Sequence, residues 1–267
     1  MERIKVPMRR TGMIYPRVDK RDLLFAKYAE TLAPPPSSID WVSALKGQYG
    51  MLGNDTAGDC CEAAAYHELQ RQTTYAGKPF TPTTAEAIGL YSTLTGYVPG
   101  DPSTDNGTDP TQMLNYMVSN GLSGHKIAAW VTVDPTRPTQ VKQSIDLFGG
   151  VLIAWALPVA AQNPLTGLNG YPCWNMELPG IGGSDGVPGS WGGHLTDGGQ
   201  YGTDAKGNQG LQTVTWGQLY DVTWAYLSAY STAIYAVVTQ DWIEKDGKSP
   251  SGFDTATLLA DLKLVTA

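Results

Sequence analysis

The chain has 267 residues, 42% of them hydrophobic and only 16% charged, which supplies a large core and argues against disorder. A formal net charge of −7 argues against general nucleic-acid binding, and no apolar run reaches the roughly 18 residues of a membrane span. Three cysteines, two of them adjacent, provide no disulfide framework, and the N-terminus lacks the apolar stretch of a signal peptide. We therefore expect a reduced setting, intracellular (cytoplasmic) or virion-associated.

The first 38 residues differ in composition from the rest. Seven of the 18 Lys and Arg fall within the first 21 residues, and a stiff linker follows at Pro34–Ser38. We predict a basic N-terminal arm with a Pro-rich linker over 1–38, including a short helix within Leu23–Leu32, and a folded domain over 39–267. The basic cluster is either a solvated surface or an arm that docks onto an acidic partner, such as a larger protein assembly.

A helix of about four turns is predicted to begin at Cys60. A loop precedes it, Asp59 is a suitable N-cap, and Glu62 stands three residues later, as in a capping box. Three alanines favour helix, and Gly77 is a natural stop. The remaining predicted elements are helices over Pro110–Ser119 and Thr139–Phe148 and strands over Val151–Leu157, Leu211–Trp216 and Ala233–Val238. The Gly- and Pro-rich stretch from Pro158 to Gly193 reads as a lid or binding loop.

The placement of Cys60 suggests a reactive thiol. A helix N-terminus lowers the pKa of a thiol, whereas the nearby carboxylates of Asp59 and Glu62 disfavour the thiolate. A cationic partner is therefore needed, and His194, which follows Gly192-Gly193, is the best candidate. A lone cysteine at a helix start is more often a small buried hydrophobe, so the pair needs independent support.

That support comes from a colinear series of motifs over roughly residues 39–240. The motifs are Asp40-Trp41, Asn54 six residues before Cys60, Asp105-Asn106-Gly107-Thr108 ahead of a helix, Gly149-Gly150 before a strand, His194 to Tyr201-Gly202, and Val214-Thr215-Trp216-Gly217. In this order they resemble the papain superfamily of cysteine peptidases, in particular its uncharacterised bacterial and bacteriophage branch.

The resemblance implies a role for each matching position. Cys60 is the expected nucleophile, His194 the base, and Asn54, together with the Cys60 backbone N–H, the oxyanion hole. Trp216 is expected to shield the Cys–His pair from water. No cofactor or metal is expected, and the substrate is a peptide or another amide.

Several positions depart from the family pattern. The third position of the triad falls on Val214, which cannot bond the imidazole; Thr215 is a possible substitute, although strand alternation points it to the other face. Asp197 either orients the histidine or lies in a partner contact. Cys61 stands at the usual Trp position, and spacing from Asn54 favours its neighbour as nucleophile.

We therefore predict an α+β, papain-like two-lobe fold. A helical lobe with the central cysteine-bearing helix packs on a twisted antiparallel sheet, or half-barrel, that carries the histidine. Two functions stay open: a cysteine peptidase or amidase that forms an acyl-enzyme, and a catalytically weak or inactive papain-fold structural or binding protein, such as a bacteriophage virion accessory protein docked by its arm. The resemblance also leaves open that residues 1–38 are a propeptide covering the cleft, although their brevity favours an arm.

Overall fold

A computed structural model describes residues 9–16, 24–29, 32–167, 170–203 and 209–244. The α-helices within these ranges are α1 Ala26–Ala29, α2 Cys60–Tyr75, α3 Thr84–Thr95, α4 Pro110–Asn120, α5 Pro138–Phe148, α6 Trp224–Tyr230 and α7 Gln240–Glu244. The strands are β1 Ile39–Asp40, β2 Ile127–Val133, β3 Val151–Leu157, β4 Leu165–Thr166, β5 Pro172–Trp174, β6 Gly192–Thr203, β7 Gln209–Thr215, β8 Gln218–Thr223 and β9 Ser231–Thr239.

The strands form one sheet in the order β2-β9-β3-β6-β7-β8-β5-β4, and β1 also pairs with β6. Every pairing is antiparallel except that of β5 with β8. β6 lies in the middle of this order, between β3 and β7, so the strand that carries His194 is held on both sides.

Two apolar clusters define the lobes. One contains the apolar side chains of α2 and α4 with Leu195 of β6. The other fills the opposite side of the sheet around Trp155 and Trp174. Because α2 is buried along almost its whole length, from Cys60 to Thr73, it is the central helix of the helical lobe. The predicted α+β, two-lobe architecture is confirmed.

The local predictions fare unevenly. The predicted helices starting at Cys60, Pro110 and Thr139 correspond to α2, α4 and α5, and the three predicted strands correspond to β3, β7 and β9. The capping box at the start of α2 is wrong, because the Asp59 side chain caps no backbone N–H. A complete capping box occurs instead at α3, which the sequence analysis missed, between Thr83 and Glu86.

Part of the predicted arm packs on the domain. Phe25 is fully buried in the sheet-side cluster, and its backbone N–H donates to Thr132 of β2. The residues from Arg9 to Pro16 also contact the domain, as described below. The other five residues of the basic cluster lie outside the described residues. Among the helices that the structure describes, none is both long and apolar enough to cross a bilayer.

Candidate active site

Cys60 is the first residue of α2, where the unpaired N–H groups of the first turn favour a negative charge. The residue is 1% exposed. Burial alone would raise its pKa, but the Cys61 thiol, the charge and hydrogen bonding of His194, and the Leu195 backbone together hold the pKa of Cys60 well below its usual value. The pKa of Cys61 is raised by burial and by Cys60, so of the two thiols Cys60 is the one that ionises.

His194 lies on β6 with its two ring nitrogens in different environments. Nε2 lies 2.7 Å from Thr215 Oγ1, in a buried hydrogen bond. Nδ1 has no hydrogen-bond partner of ordinary geometry among the described residues, which leaves it for the nearby Cys60 thiol. The Trp216 ring stacks on the imidazole at 4.2 Å between centroids and 13° between planes. The histidine is thus held on one edge and covered on one face.

Thr215 is the residue that hydrogen-bonds the histidine, and the expectation that the third position of the triad falls on Val214 is wrong. Alternation along β7 places Thr215 on the face of β6 that carries His194, whereas Val214 packs on the other face with Val42 and Leu219. The motif alignment was therefore one residue out of register.

A tight turn fixes Thr215 and Trp216. β7 and β8 are joined through Trp216 and Gly217, which have φ of 46° and 71°. Two successive positive φ angles are typical of a two-residue hairpin turn, where glycine or asparagine is usual and a tryptophan is rare. The strained residue is the one stacked on the imidazole, which fits the tendency of such strain to lie at functional sites.

The two carboxyl groups near Cys60 are less adverse than the sequence suggested. Burial, followed by the charges of Glu62 and Cys60, raises the pKa of Asp59 to about 9. Burial likewise raises the pKa of Glu62 to about 8, although Thr108 donates a 2.7 Å hydrogen bond to it. Both groups are therefore mostly protonated at neutral pH, and neither opposes the thiolate with a full negative charge.

Asn54 lies in the loop before α2 and is 2% exposed. Its side-chain amide donates to the carbonyl of Ala57 at 3.2 Å. One N–H of the amide is thus used to hold the loop that leads into Cys60. The oxyanion-hole role of Asn54 stays a prediction that depends on its second N–H.

Asp197 neither hydrogen-bonds His194 nor reaches the surface, where a partner could contact it. It is fully buried, and its carboxylate accepts a hydrogen bond from Arg71 of α2, with which it forms an ion pair. No local pattern indicates this partner, since Arg71 is 126 residues away and stands in a helix where an arginine is ordinarily exposed.

The residues from Arg9 to Pro16, hereafter the cleft segment, cover Cys60 and His194. Met13 donates its backbone N–H to Gly193, the residue before the histidine, at 3.0 Å. Across the cleft, Thr108 donates to Gly12 at 2.8 Å and Ile14 donates to Thr108 at 2.9 Å, which makes a parallel bridge. The segment therefore bonds to both walls of the cleft.

Arg9 and Arg10, nearer the N-terminus of the segment, contact the rest of the site. Arg10 donates its backbone N–H to Asn54, and its carbonyl accepts a 3.1 Å hydrogen bond from the Trp216 indole. The Arg9 guanidinium lies 5.0 Å from the Trp216 ring centroid and 5.2 Å from that of Tyr220. With the segment in place His194 is 0% exposed.

Glycines make this close approach possible. A Cβ on Gly12 would lie 1.9 Å from the Gly58 carbonyl oxygen, and one on Gly193 would lie 2.2 Å from the Met13 carbonyl oxygen. A Cβ on Gly107 would lie 1.9 Å from the Gly12 oxygen. The walls of the cleft thus accept a polypeptide backbone at van der Waals distance.

Comparison with known proteins shows the same class of fold. No protein-family model and no curated protein matches the chain at the level of sequence. Solved structures do match, and the fold that they share is that of the papain-like cysteine proteases. The fold therefore agrees with the resemblance in the sequence.

Xylellain, a cysteine protease from Xylella fastidiosa, is 12% identical with a TM-score of 0.61, and the match covers 88% of this chain and 98% of xylellain. The proCathepsin B S9 from Trypanosoma congolense is 10% identical with a TM-score of 0.57 and 86% coverage of both chains. Procathepsin L 3 of Tenebrio molitor is 12% identical with a TM-score of 0.55, covering 84% of this chain and 76% of the procathepsin.

Proposed function

We propose that the protein is a papain-like cysteine peptidase or amidase. The observation that carries the proposal is the arrangement of Cys60, His194 and Thr215, a thiol at a helix N-terminus beside an imidazole whose far nitrogen is held by a hydroxyl. Nucleophile, base and orienting group in this order define the geometry of acyl transfer through a covalent intermediate.

In the proposed reaction the Cys60 thiolate attacks the carbonyl carbon of an amide while His194 is protonated. The imidazolium gives its proton to the leaving amine, and a C–N bond is exchanged for a thioester. Water then attacks the thioester with the imidazole as base, which releases the acid and regenerates the thiol. The Cys60 backbone N–H and the second N–H of Asn54 are the proposed donors to the oxyanion, and loss of one such donor costs about 10²–10³ in rate.

Thr215 and Trp216 support the imidazole in this scheme. The Thr215 hydroxyl accepts from Nε2–H of the imidazolium and fixes the ring so that Nδ1 faces the thiol. The indole of Trp216 excludes water from one face of the ring and strengthens the attraction between thiolate and imidazolium. A hydroxyl holds a cation more weakly than a side-chain amide carbonyl, so we expect slower turnover than with asparagine at this position.

We further propose that the described form is latent. The cleft segment occupies the space in which an extended substrate would lie, through main-chain hydrogen bonds to Gly193 and Thr108. The segment belongs to the predicted basic arm, and its contacts favour the alternative that this part of the chain covers the cleft. Several similar structures are of precursors, including the two procathepsins and a stem bromelain precursor, which supports such a latent form by analogy.

Thiol labelling tests the proposal. The full chain is treated with an epoxide of the E-64 type and with iodoacetamide near neutral pH, and the modified residue is identified by mass spectrometry. Gly12→Ala opens the cleft, because its Cβ would clash with Gly58; Gly89→Ala, where a Cβ meets nothing within 4 Å, is the matched control. We expect rapid labelling of Cys60 in Gly12→Ala, slow labelling in wild type and Gly89→Ala, and loss of rapid labelling when His194→Ala is added.

The second candidate is a papain-fold structural or binding protein, intracellular or virion-associated, that attaches to a larger assembly. The occlusion of Cys60 and His194 favours it, since an inactive protein has no need of an open cleft. Labelling of Cys60 in Gly12→Ala that is no faster than that of a free thiol, and unchanged by His194→Ala, would support this candidate and refute the enzyme.

A further inference from the structure

A second polar contact joins the cysteine helix to the histidine strand. Arg71 of α2 and Asp197 of β6 form an ion pair in which both side chains are 0% exposed. Glu68, one turn earlier on α2, lies 3.5 Å from the Arg71 guanidinium and is 2% exposed. Burial raises the pKa of Glu68 well above its usual value, so the main partner of the guanidinium is Asp197.

Two glycines shape the space around the guanidinium. A Cβ on Gly150, just before β3, would lie 1.8 Å from Arg71 Nη2. A Cβ on Gly199 of β6 would lie 2.7 Å from Arg71 Nη1. The sheet therefore carries a recess that admits the guanidinium only because two side chains are missing. Such a fit fixes the arginine along the strand as well as across it.

A gain in stability does not by itself explain why Glu68, Arg71 and Asp197 are buried together. Removing two charges from water costs several kcal/mol per ion, and well-packed apolar residues of similar volume are often as stable or more so. The hydrogen bonding of the ion pair is also incomplete, because among the described residues Asp197 Oδ1 and Arg71 Nε have no hydrogen-bond partner. What an ion pair offers and an apolar contact lacks is a single preferred register between two elements.

The register in question bears on the active site. His194 and Asp197 are three residues apart on β6, and Cys60 and Arg71 are the first and twelfth residues of α2. The helix meets the strand at Cys60 beside Leu195 and again at Arg71. Long helical side chains lean toward the N-terminus of their helix, so the Arg71 side chain reaches back along α2 toward Cys60. A shift of α2 along its axis would therefore break the ion pair and displace the Cys60 thiol at the same time.

We propose that Arg71 and Asp197 are positioning residues, an ion pair that fixes the axial register of the cysteine helix on the histidine strand and thereby holds the Cys60 thiol against His194. The proposal rests on the proposed function, since it concerns the same pair. The Gln72 amide adds to the contact by donating to Phe148 and Val237, each at 2.9 Å. Those bonds attach the C-terminal part of α2 to α5 and to β9, while the ion pair reaches back toward the site.

The test titrates the thiolate of the full chain by its ultraviolet absorbance, with Cys60→Ser as the baseline, so that no reagent has to enter the cleft. The variant Arg71→Met/Asp197→Leu removes both charges together and leaves neither buried alone. The same replacements in an exposed ion pair, Arg137→Met/Asp134→Leu, are the matched control. Thermal unfolding of each variant is measured alongside.

We expect the buried double variant to unfold at or above the temperature of wild type. Its thiolate titration should shift upward by about one pH unit, a ten-fold lower thiolate fraction on the acid side, while the exposed control leaves the titration unchanged. Arg71→Lys, which keeps the charge but loses the planar fork, should shift it part of the way. This second variant also decides the matter if the double variant does not fold.

Two results would overturn the inference, and they are distinguishable. A wild-type thiolate that titrates like a free thiol and ignores His194→Ala refutes the proposed function and the positioning role with it. A wild-type thiolate of low pKa that depends on His194, and that stays unchanged in the double variant and in Arg71→Lys, refutes the positioning role alone. The ion pair would then serve only the fold.

Discussion

Cys60 is enclosed by two surfaces that differ in how they are made. The wall formed by α2, β6 and the end of β7 is built of side chains, with a stacked ring, a buried hydroxyl and an ion pair. The cleft segment is held mainly by main-chain hydrogen bonds to Asn54, Thr108 and Gly193. The wall therefore depends on residue identity, whereas the segment depends on backbone shape. A surface held in this second way can be released and replaced by another polypeptide.

The wall is expected to respond to pH far more than the segment. The folded-state pKa of Glu62 and of Asp59 is raised to about 8 and about 9, against about 4 in the unfolded chain. Between about pH 4 and about pH 9 the folded state therefore binds more protons than the unfolded chain. The stability that these two carboxyl groups contribute is fully present below about pH 4 and is lost as the pH rises to about 9.

Denaturant midpoints measured from about pH 5 to about pH 8 should show the free energy of unfolding falling by about 1 kcal/mol or more per pH unit. Glu62→Gln and Asp59→Asn should each flatten this slope, and Glu177→Gln, at an exposed carboxyl, is the control. A slope that is flat in wild type, or equally steep in both buried-site variants, contradicts the assignment of protonated carboxyls beside Cys60.

The segment has one buried apolar anchor, and removing it should open the cleft. Met13 is 5% exposed and packs in the cluster that contains Cys60. Truncation of a buried methionine to alanine costs about 2 kcal/mol or more, which corresponds to a roughly 30-fold shift in a two-state opening. We expect Met13→Ala to raise the rate of Cys60 alkylation by about that factor.

Met176→Ala is the matched control, because that methionine is 44% exposed and should leave the rate unchanged. Equal rates in Met13→Ala and wild type, with the fold intact, would mean that the segment is held by its main-chain bonds alone. Equal acceleration in both methionine variants would instead indicate a general loosening of the domain.

Sequence reasoning reached the parts of this site whose signals are local or ordered along the chain. The helix at Cys60 was predicted from loop residues, three alanines and a glycine stop, and the histidine from its place in a series of motifs. The third position was missed by one residue because spacing alone does not fix which face a strand residue occupies. Pairing of β7 with β6 fixes the face, and pairing is a long-range property.

Other features gave no sequence signal that points to their place. Arg71 and Asp197 look like ordinary surface charges until the fold brings them together. The cleft segment was predicted as part of a basic arm, since its two arginines dominate its composition. Its glycine, Gly12, could have suggested a close backbone approach, but nothing indicated that Gly58 was the surface approached.

The hydroxyl on the histidine is the point of the wall where residue identity should matter most directly. Thr215→Val keeps the shape and removes the acceptor, which leaves the buried Nε2 of His194 without a partner, at a cost of about 1–3 kcal/mol. In the Gly12→Ala background we expect Cys60 alkylation to slow roughly ten-fold or more. Thr215→Ser should restore the rate, and Thr215→Asn should equal or exceed wild type. An alkylation rate that is unchanged in Thr215→Val would show that the imidazole is held by stacking alone.

The smallest predicted effect belongs to the one side-chain contact by which the segment reaches the ring that covers the histidine. Arg9 lies over Trp216 and Tyr220, and its guanidinium nitrogens have no hydrogen-bond partner among the described residues. Burial lowers the pKa of Arg9 to about 10, so it stays charged at neutral pH and attracts both ring faces.

Desolvation of the unpaired guanidinium opposes its attraction to the two rings, which leaves a small net contribution of about 0.5–1 kcal/mol, so Arg9→Met should raise the alkylation rate of Cys60 only about three-fold. Lys142→Met removes a similar contact, over Tyr201 and Trp224 and away from the cleft, and should have no effect. An increase as large as that of Met13→Ala would mean that the cation, and not the backbone, holds the segment. The contrast between a wall made of side chains and a cover made of main chain would then be wrong, and release of the cover would depend on charge.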